Sequence, residues 1–148
     1  MSVILVDIDG TLADITHRLH FIKGDRFADK DWDAFFDAMV DDTPIWFMVA
    51  LVAALAAAHW DVIYVTGRPD IYRQQTSGWL DKQVTGERLL YMRKAGDRRP
   101  DDVVKREILQ QIRSDGFEPV MAIDDRKRVV DMWRAEGLIC LQCAEGDF

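Results

Sequence analysis

The sequence predicts an α/β fold, a parallel sheet with helices on both faces and a small helical insertion after the first strand. Three observations point there. Short aliphatic and β-branched runs without polar alternation, as in strands covered on both faces, recur at Val3 to Val6, Val62 to Val65 and Pro119 to Ile123. Helix-forming stretches separate them, the order that gives parallel strands joined by right-handed crossovers. Each run ends in a polar cluster: Asp7-Ile8-Asp9-Gly10-Thr11, Thr66-Gly67-Arg68-Pro69 and Asp124-Asp125. Open parallel sheets bind ligands outside the carboxyl ends of their strands, so three such clusters belong to one site.

The elements follow in order. Val3 to Val6 is the first strand, with Asp7 at its carboxyl end. From Ala13 to Asp42 the pattern changes, and Trp32, Phe35, Phe36 and Met39 fall at a helical spacing that gives one apolar face. This is the expected insertion. Thr43-Pro44 supplies an N-cap and a first-turn proline for a helix running to Ala58, apolar enough to be buried. Val62 to Val65 is the second strand and Thr66 to Pro69 a turn. Arg88 to Met92 reads as a third strand, and Asp101 and Asp102 suit the start of a helix reaching about Ser114, with Lys105 in its first turns. Pro119 to Ile123 is a strand, Lys127 to Glu136 a helix stopped by Gly137, and Ile139 to Leu141 a closing strand.

The 148 residues fit one domain with a core of its own, and 49% apolar with 30% charged residues is an ordinary globular composition. The opening residues lack the basic flank and cleavage site of a signal peptide, so no export is expected. The longest apolar run, Ile45 to Ala58, is too short for a membrane span of about 20 residues. Cys140 and Cys143 form a lone C-x-x-C without further ligands nearby, which reads as two small residues beside the last strand rather than a zinc or redox site. A net charge of −7 excludes indiscriminate nucleic-acid binding, so any polyanion must be held locally.

Asp7 and Asp9 point to opposite sides of an ideal strand, but a turn at Gly10 can swing the second round. With Asp124 and Asp125 they make a dense group of acids whose repulsion calls for a cation. Hard carboxylate oxygens without a His and Cys cluster suit magnesium, with Asp7, Asp9, Asp124 and Asp125 as its candidate ligands. A calcium loop fails on spacing, because position twelve from Asp7 is Arg18 where a glutamate is needed. Phosphoryl transfer brings an anionic nucleophile to an anionic phosphate, and Lys105 with the cation could offset that repulsion. The Thr66 hydroxyl and the unobstructed N–H of Gly67 are candidate phosphate donors, although the same pair also fits a plain turn.

These motifs, D-I-D-G-T at Asp7 to Thr11, T-G-R at Thr66 to Arg68, Lys105, and I-D-D-R at Ile123 to Arg126, resemble in order and spacing the four motifs of haloacid dehalogenase-type phosphatases. Arg93, D-D-V-V-K at Asp101 to Lys105, V-V-D-M-W-R and the final G-D-F narrow the likeness to the 3′-phosphatase domains of phage polynucleotide kinase-phosphatases. The resemblance implies a Rossmann-like sheet, magnesium, and a two-step reaction in which Asp7 forms an aspartyl-phosphate and Asp9 serves as general acid and then base. It further implies that Asp124 and Asp125 sit at the metal, that Thr66 and Lys105 bind the phosphoryl group, and that Arg68, Arg93 and Arg126 contact substrate. The serine common before G-R is threonine here, which keeps the hydroxyl. No G-x-x-x-x-G-K-[ST] occurs, so a kinase or ligase partner would be a separate polypeptide. A cytoplasmic setting, in a bacterial or phage-infected cell, is what the resemblance suggests.

Arg93, Lys94, Arg98 and Arg99 form a basic run that could guide a phosphodiester backbone, or be a solvated loop. The expected substrate is a phosphorylated DNA or RNA end. A 5′- or 3′-nucleotidase needs the same motifs without the basic run, and a catalytically silent end-binding module would retain only the fold. Tyr91 and Trp79 read as core rather than stacking platforms, His17 and His20 as solvated or packing residues, and Asp14 and Asp97 as turn or cap residues.

Overall fold

The computed structural model describes residues 1–86 and 88–146. Of the final G-D-F, Asp147 and Phe148 lie outside the described residues. In chain order the elements are Ser2–Val6 (β1), Ala13–Asp14 (β2), Trp32–Asp37 (α1), Thr43–Pro44 (β3), Trp46–Ala57 (α2) and Asp61–Pro69 (β4). There follow Arg73–Gln83 (α3), Leu89–Arg93 (β5), Asp101–Ser114 (α4), Glu118–Asp124 (β6), Lys127–Ala135 (α5) and Ile139–Gln142 (β7).

Five strands make one parallel sheet in the order β5-β4-β1-β6-β7, the arrangement expected of unbroken aliphatic runs. Successive residues of β1 feed opposite cores. Val3 and Leu5 pack with Val104, Leu109, Val129 and Trp133 from α4 and α5. Ile4 and Val6 pack with Val49 and Val52 of α2, Trp79 and Leu80 of α3, and Phe35 of the insertion. Helices therefore cover both faces, and all strands present their carboxyl ends on one side.

The insertion is helical as expected, with short 3-10 turns at Thr16–Ile22, Phe27–Asp29 and Ala38–Asp41 around the six-residue α1, and an antiparallel ribbon of β2 and β3 brackets it. Three local expectations are corrected. Thr43-Pro44 is the returning ribbon strand rather than a cap, and α2 starts after Ile45 without a side-chain cap. Helix α2 is not buried all round, since only Val49 and Val52 are fully covered while Trp46 is 69% and Phe47 89% exposed. Thr66 to Pro69 continues β4 through an irregular register instead of forming a turn. In addition, α3 occupies a stretch left unassigned by periodicity, where a polar sequence buries Thr76, Trp79 and Leu80. Tyr91 packs against the core with its hydroxyl on Asp115, and neither it nor Trp79 forms an open platform.

Candidate active site

Asp7 follows β1 directly, and its N–H donates to the Ile123 carbonyl, 3.0 Å, so β1 and β6 deliver their terminal acids side by side. Beyond it the chain doubles back. Gly10 adopts φ 79°, a left-handed conformation that glycine takes without steric cost, and Thr11, Leu12 and Ala13 all donate to the Ile8 carbonyl. The turn buries Thr11, whose hydroxyl donates to Asp7 Oδ2 at 3.0 Å. From the end of β6, Asp124 is fixed by four donors: the Asp125 and Arg126 N–H groups on Oδ1, and Lys105 Nζ and Trp133 Nε1 on Oδ2.

Asp7, Asp124 and Asp125 are buried and each offers a carboxylate oxygen within 4.8 Å of the others. Lys105, reaching in from the second turn of α4, is also buried, 2.8 Å from Asp7 Oδ1 and 2.9 Å from Asp124 Oδ2. Burial alone would lower the Lys105 pKa, but Asp101, Asp124 and Asp7 together hold it well above its ordinary value. Burial and the charge of Asp124 push Asp7 up, against the pull of Lys105, and push Asp125 up to about 6. One ammonium thus faces three crowded carboxylates, a donor set of hard oxygens that fits a divalent cation such as magnesium.

Asp9 is not part of that trio. Its side chain turns to a second buried cluster, where Oδ1 accepts from Arg18 Nη2 at 2.7 Å and from Arg68 Nη2 and Nε at 2.5 and 3.0 Å. The expected place of its carboxylate among the metal ligands is therefore corrected. Burial opposes ionisation, yet Arg68 and Arg18 outweigh it and draw the Asp9 pKa down to about 2. Both guanidiniums also bond Asp42, fully buried at the end of the insertion, and His17 Nε2 lies 2.7 Å from the same carboxylate. His17 is thus tied to the insertion's polar core rather than simply solvated.

The other predicted residues sit around these clusters. Thr66 is buried, its hydroxyl accepting from the Arg68 N–H at 3.2 Å. Against Gly67 lies Asp101, whose Oδ1 would be only 2.3 Å from a Cβ built there, so glycine is required by the carboxylate's close approach. Arg93 is held by protein acceptors, the carbonyls of Gly67, Asp97 and Arg99 and the Asp101 carboxylate. Arg126 Nη1 is 3.9 Å from Asp101. In the basic run Arg99 pairs with Asp97 and Glu107, and Arg98 lies over the Phe27 ring of the insertion. Asp14 and Asp97 accept from backbone N–H groups two residues on, as turn residues do. Cys143 lies 3.6 Å from the Thr11 hydroxyl, and burial raises its thiol to about 11 and that of Cys140 to about 12, which keeps both neutral and unreactive.

Sequence reasoning missed Arg18, Asp42 and Asp101. Arg18 and Asp42 are 24 residues apart and carry no local signal of pairing. The clues to Asp101 were its place at the head of the D-D-V-V-K stretch and four residues before Lys105, on the same face of a helix.

Comparison with known proteins agrees with this geometry. A family model described as the polynucleotide kinase PNKP phosphatase domain matches residues 1–148. The chain belongs to that family. As a PNKP-type phosphatase domain it is 28% identical, over 88% of its length, to a protein of Autographa californica nuclear polyhedrosis virus provisionally named a bifunctional polynucleotide kinase/RNA ligase. In the Pnkp1/Rnl/Hen1 RNA repair complex, one chain is 28% identical and superposes with a TM-score of 0.77 over 99% of this chain. A haloacid dehalogenase hydrolase of family IA from Entamoeba histolytica, 12% identical and covering 100% of this chain and 86% of its own, shares the fold at a TM-score of 0.67. The PNKP-type domain spans 17% of the viral protein and 43% of the repair-complex chain. Among the described residues no helix is long and apolar enough to cross a membrane.

Proposed function

We propose that residues 1–148 form one magnesium-dependent phosphomonoesterase unit that removes phosphate from the 3′ end of a nucleic acid through an aspartyl-phosphate. The observation that carries this reading is the division of labour between two neighbouring carboxylates: Asp7 lies against Lys105 in the acid trio, and Asp9 lies apart under two arginines. Sites that place two titratable groups in opposed environments assign them different roles.

In the first half-reaction an Asp7 oxygen attacks phosphorus, the bond from phosphorus to the ester oxygen breaks, and Asp9 protonates the departing alkoxide. In the second, Asp9 takes a proton from water, whose oxygen attacks phosphorus as the Asp7 acyl phosphate bond breaks, releasing inorganic phosphate and restoring the carboxylate. The first half starts from Asp9 carrying its proton, and the arginines stabilise the carboxylate it leaves behind, the state needed for the second half. Lys105 and the Thr66 hydroxyl would bind phosphoryl oxygens. A magnesium ion bound by Asp7, Asp124 and Asp125 would keep Asp7 ionised and neutralise charge on the phosphoryl oxygens.

Gly67, Arg68, Arg93 and Arg126 are proposed to shape or contact the substrate, with Arg126 the partly exposed member at the rim. Because the family model and both relatives named for polynucleotide kinase or RNA repair carry this domain, we read the substrate as a DNA or RNA end and the natural setting as repair beside a kinase or ligase. A nucleotidase is the second reading, favoured by one observation: Arg93 and Arg99 in the basic run are already bonded within the protein.

The test is phosphate release with magnesium from a 3′-phosphorylated oligonucleotide, its 5′-phosphorylated counterpart and a 3′-mononucleotide, with Asp7→Asn as the blank. Preference for the 3′-phosphorylated oligonucleotide supports end repair. Preference for the mononucleotide moves the assignment to a nucleotidase, and no Asp7-dependent release from any substrate removes the phosphatase reading for this class of esters.

A further inference from the structure

Asp42 has no place in the chemistry above, yet it is among the most heavily bonded side chains in the molecule. Its carboxylate is fully buried. Oδ1 accepts from Arg18 Nε at 2.8 Å and meets His17 Nε2 at 2.7 Å, while Oδ2 accepts from Arg18 Nη2 at 2.7 Å and Arg68 Nη2 at 3.2 Å. The backbone is pinned as well: the Asp42 N–H donates to the Met39 carbonyl at 3.0 Å, and the Asp42 carbonyl accepts from the Trp79 indole at 2.9 Å.

We propose that Asp42 is a positioning residue for Asp9, acting through Arg18 and Arg68. Two buried guanidiniums beside Asp9 alone would leave one positive charge uncompensated, and an unpaired buried charge is costly. Asp42 supplies the second negative charge and turns the group into a neutral square of two acids and two arginines. Its two oxygens engage Arg18 as a fork, a bidentate geometry that fixes the plane of the guanidinium. With both arginines fixed, all three of their bonds to Asp9 land on Oδ1, which leaves Oδ2 as the oxygen that neither guanidinium engages. Arg18 and Asp42 come from opposite ends of the insertion and Arg68 from the sheet, so the insertion and the sheet orient the acid-base residue together.

The inference rests on the reading of Asp9 as proton donor, and a double-mutant cycle separates the two. Asp42→Asn, Asp9→Asn and the double variant are assayed on a phosphorylated oligonucleotide, whose leaving alkoxide needs a proton, and on 4-nitrophenyl phosphate, whose phenolate leaves without one. For the second substrate the first-turnover burst of nitrophenolate is followed, which isolates the first half-reaction. Asp42→Asn is expected to lower kcat on the oligonucleotide about 10- to 100-fold with KM changed less than about threefold, within the range of general acid catalysis. The nitrophenyl burst should fall less than about threefold, and the double variant should be no slower than Asp9→Asn. Should Asp42→Asn not fold, Trp79→Phe, which removes the indole bond to the Asp42 carbonyl along with some core packing, should give the same pattern at smaller amplitude, with a melt to confirm folding. Equal losses on both substrates, or losses that multiply with Asp9→Asn, overturn the positioning role. An Asp9→Asn enzyme with undiminished oligonucleotide turnover overturns the reading of Asp9 itself, and the inference with it.

Discussion

At the scale of single residues, Asp125 makes the acid trio sensitive to pH. Its pKa rises from 3.8 to about 6 on folding without a cation, so the folded state favours its protonated form. The sign follows: its favourable contribution is present below pH 4 and is lost as pH rises through 6, on the order of 3 kcal/mol at about 1.4 kcal/mol per pKa unit. Thermal melts in EDTA are therefore expected to show the native chain losing ground to Asp125→Asn between pH 4 and 7, with saturating magnesium narrowing the gap. A pH-independent difference would contradict the crowding of the trio. A second residue-scale prediction concerns Gly67. A methyl group there meets Asp101 Oδ1 at 2.3 Å, and Asp101 is 3.5 Å from Lys105, so Gly67→Ala should displace Asp101 and lower kcat at least about tenfold. Steady-state kinetics with a melt to confirm folding checks this. The acids were legible in the sequence because each ends an aliphatic run. Arg18 and Asp42 were not, because a pair formed across a loop leaves no periodic trace.

At the scale of elements, α2 shows why composition misleads about burial. The apolar run from Ile45 to Ala58 suggested a helix buried all round, but one side rests on β4 and the opposite side faces water. A helix with no polar residue cannot announce which side is inward. Two substitutions separate the faces. Phe47→Ser should change stability by less than about 0.5 kcal/mol, as at an exposed position, whereas Val52→Ala should cost about 2 kcal/mol through lost packing. Urea denaturation of both variants measures the contrast, and equal effects would mean the outer face is covered. Helix α3 failed to register for the converse reason: Arg73–Gln83 is mostly polar, with Gly78 at its centre, and holds its place through Thr76, Trp79 and Leu80. The β4 extension through Thr66 to Pro69 looked like a turn because local chemistry cannot reveal that β5 continues to pair beside it.

For the whole molecule, the sheet order and the two-sided core followed from the alternation of aliphatic runs with helices, since strands covered on both faces leave few topologies. The electrostatic balance makes a separate prediction. With net charge −7, and with Arg93 and Arg99 of the basic run bonded within the protein, Lys94 and Arg98 are the two members of that run without a carboxylate or carbonyl partner among the described residues. Binding of a single-stranded 3′-phosphorylated oligonucleotide to Asp7→Asn should then weaken with salt at a log–log slope of roughly −1.5, given about −0.7 per phosphate contact. Fluorescence anisotropy at several potassium chloride concentrations reads the slope, and a value steeper than about −4 would reveal an extended cationic track. The bracketing of the insertion by β2 and β3, with Arg18 and Asp42 at its two ends, also bears on protein engineering. Grafting this segment from another phosphatase would exchange half of an ionic square in the same cut. Donor segments would have to be screened for a compatible arginine–aspartate pair before anything else about them mattered.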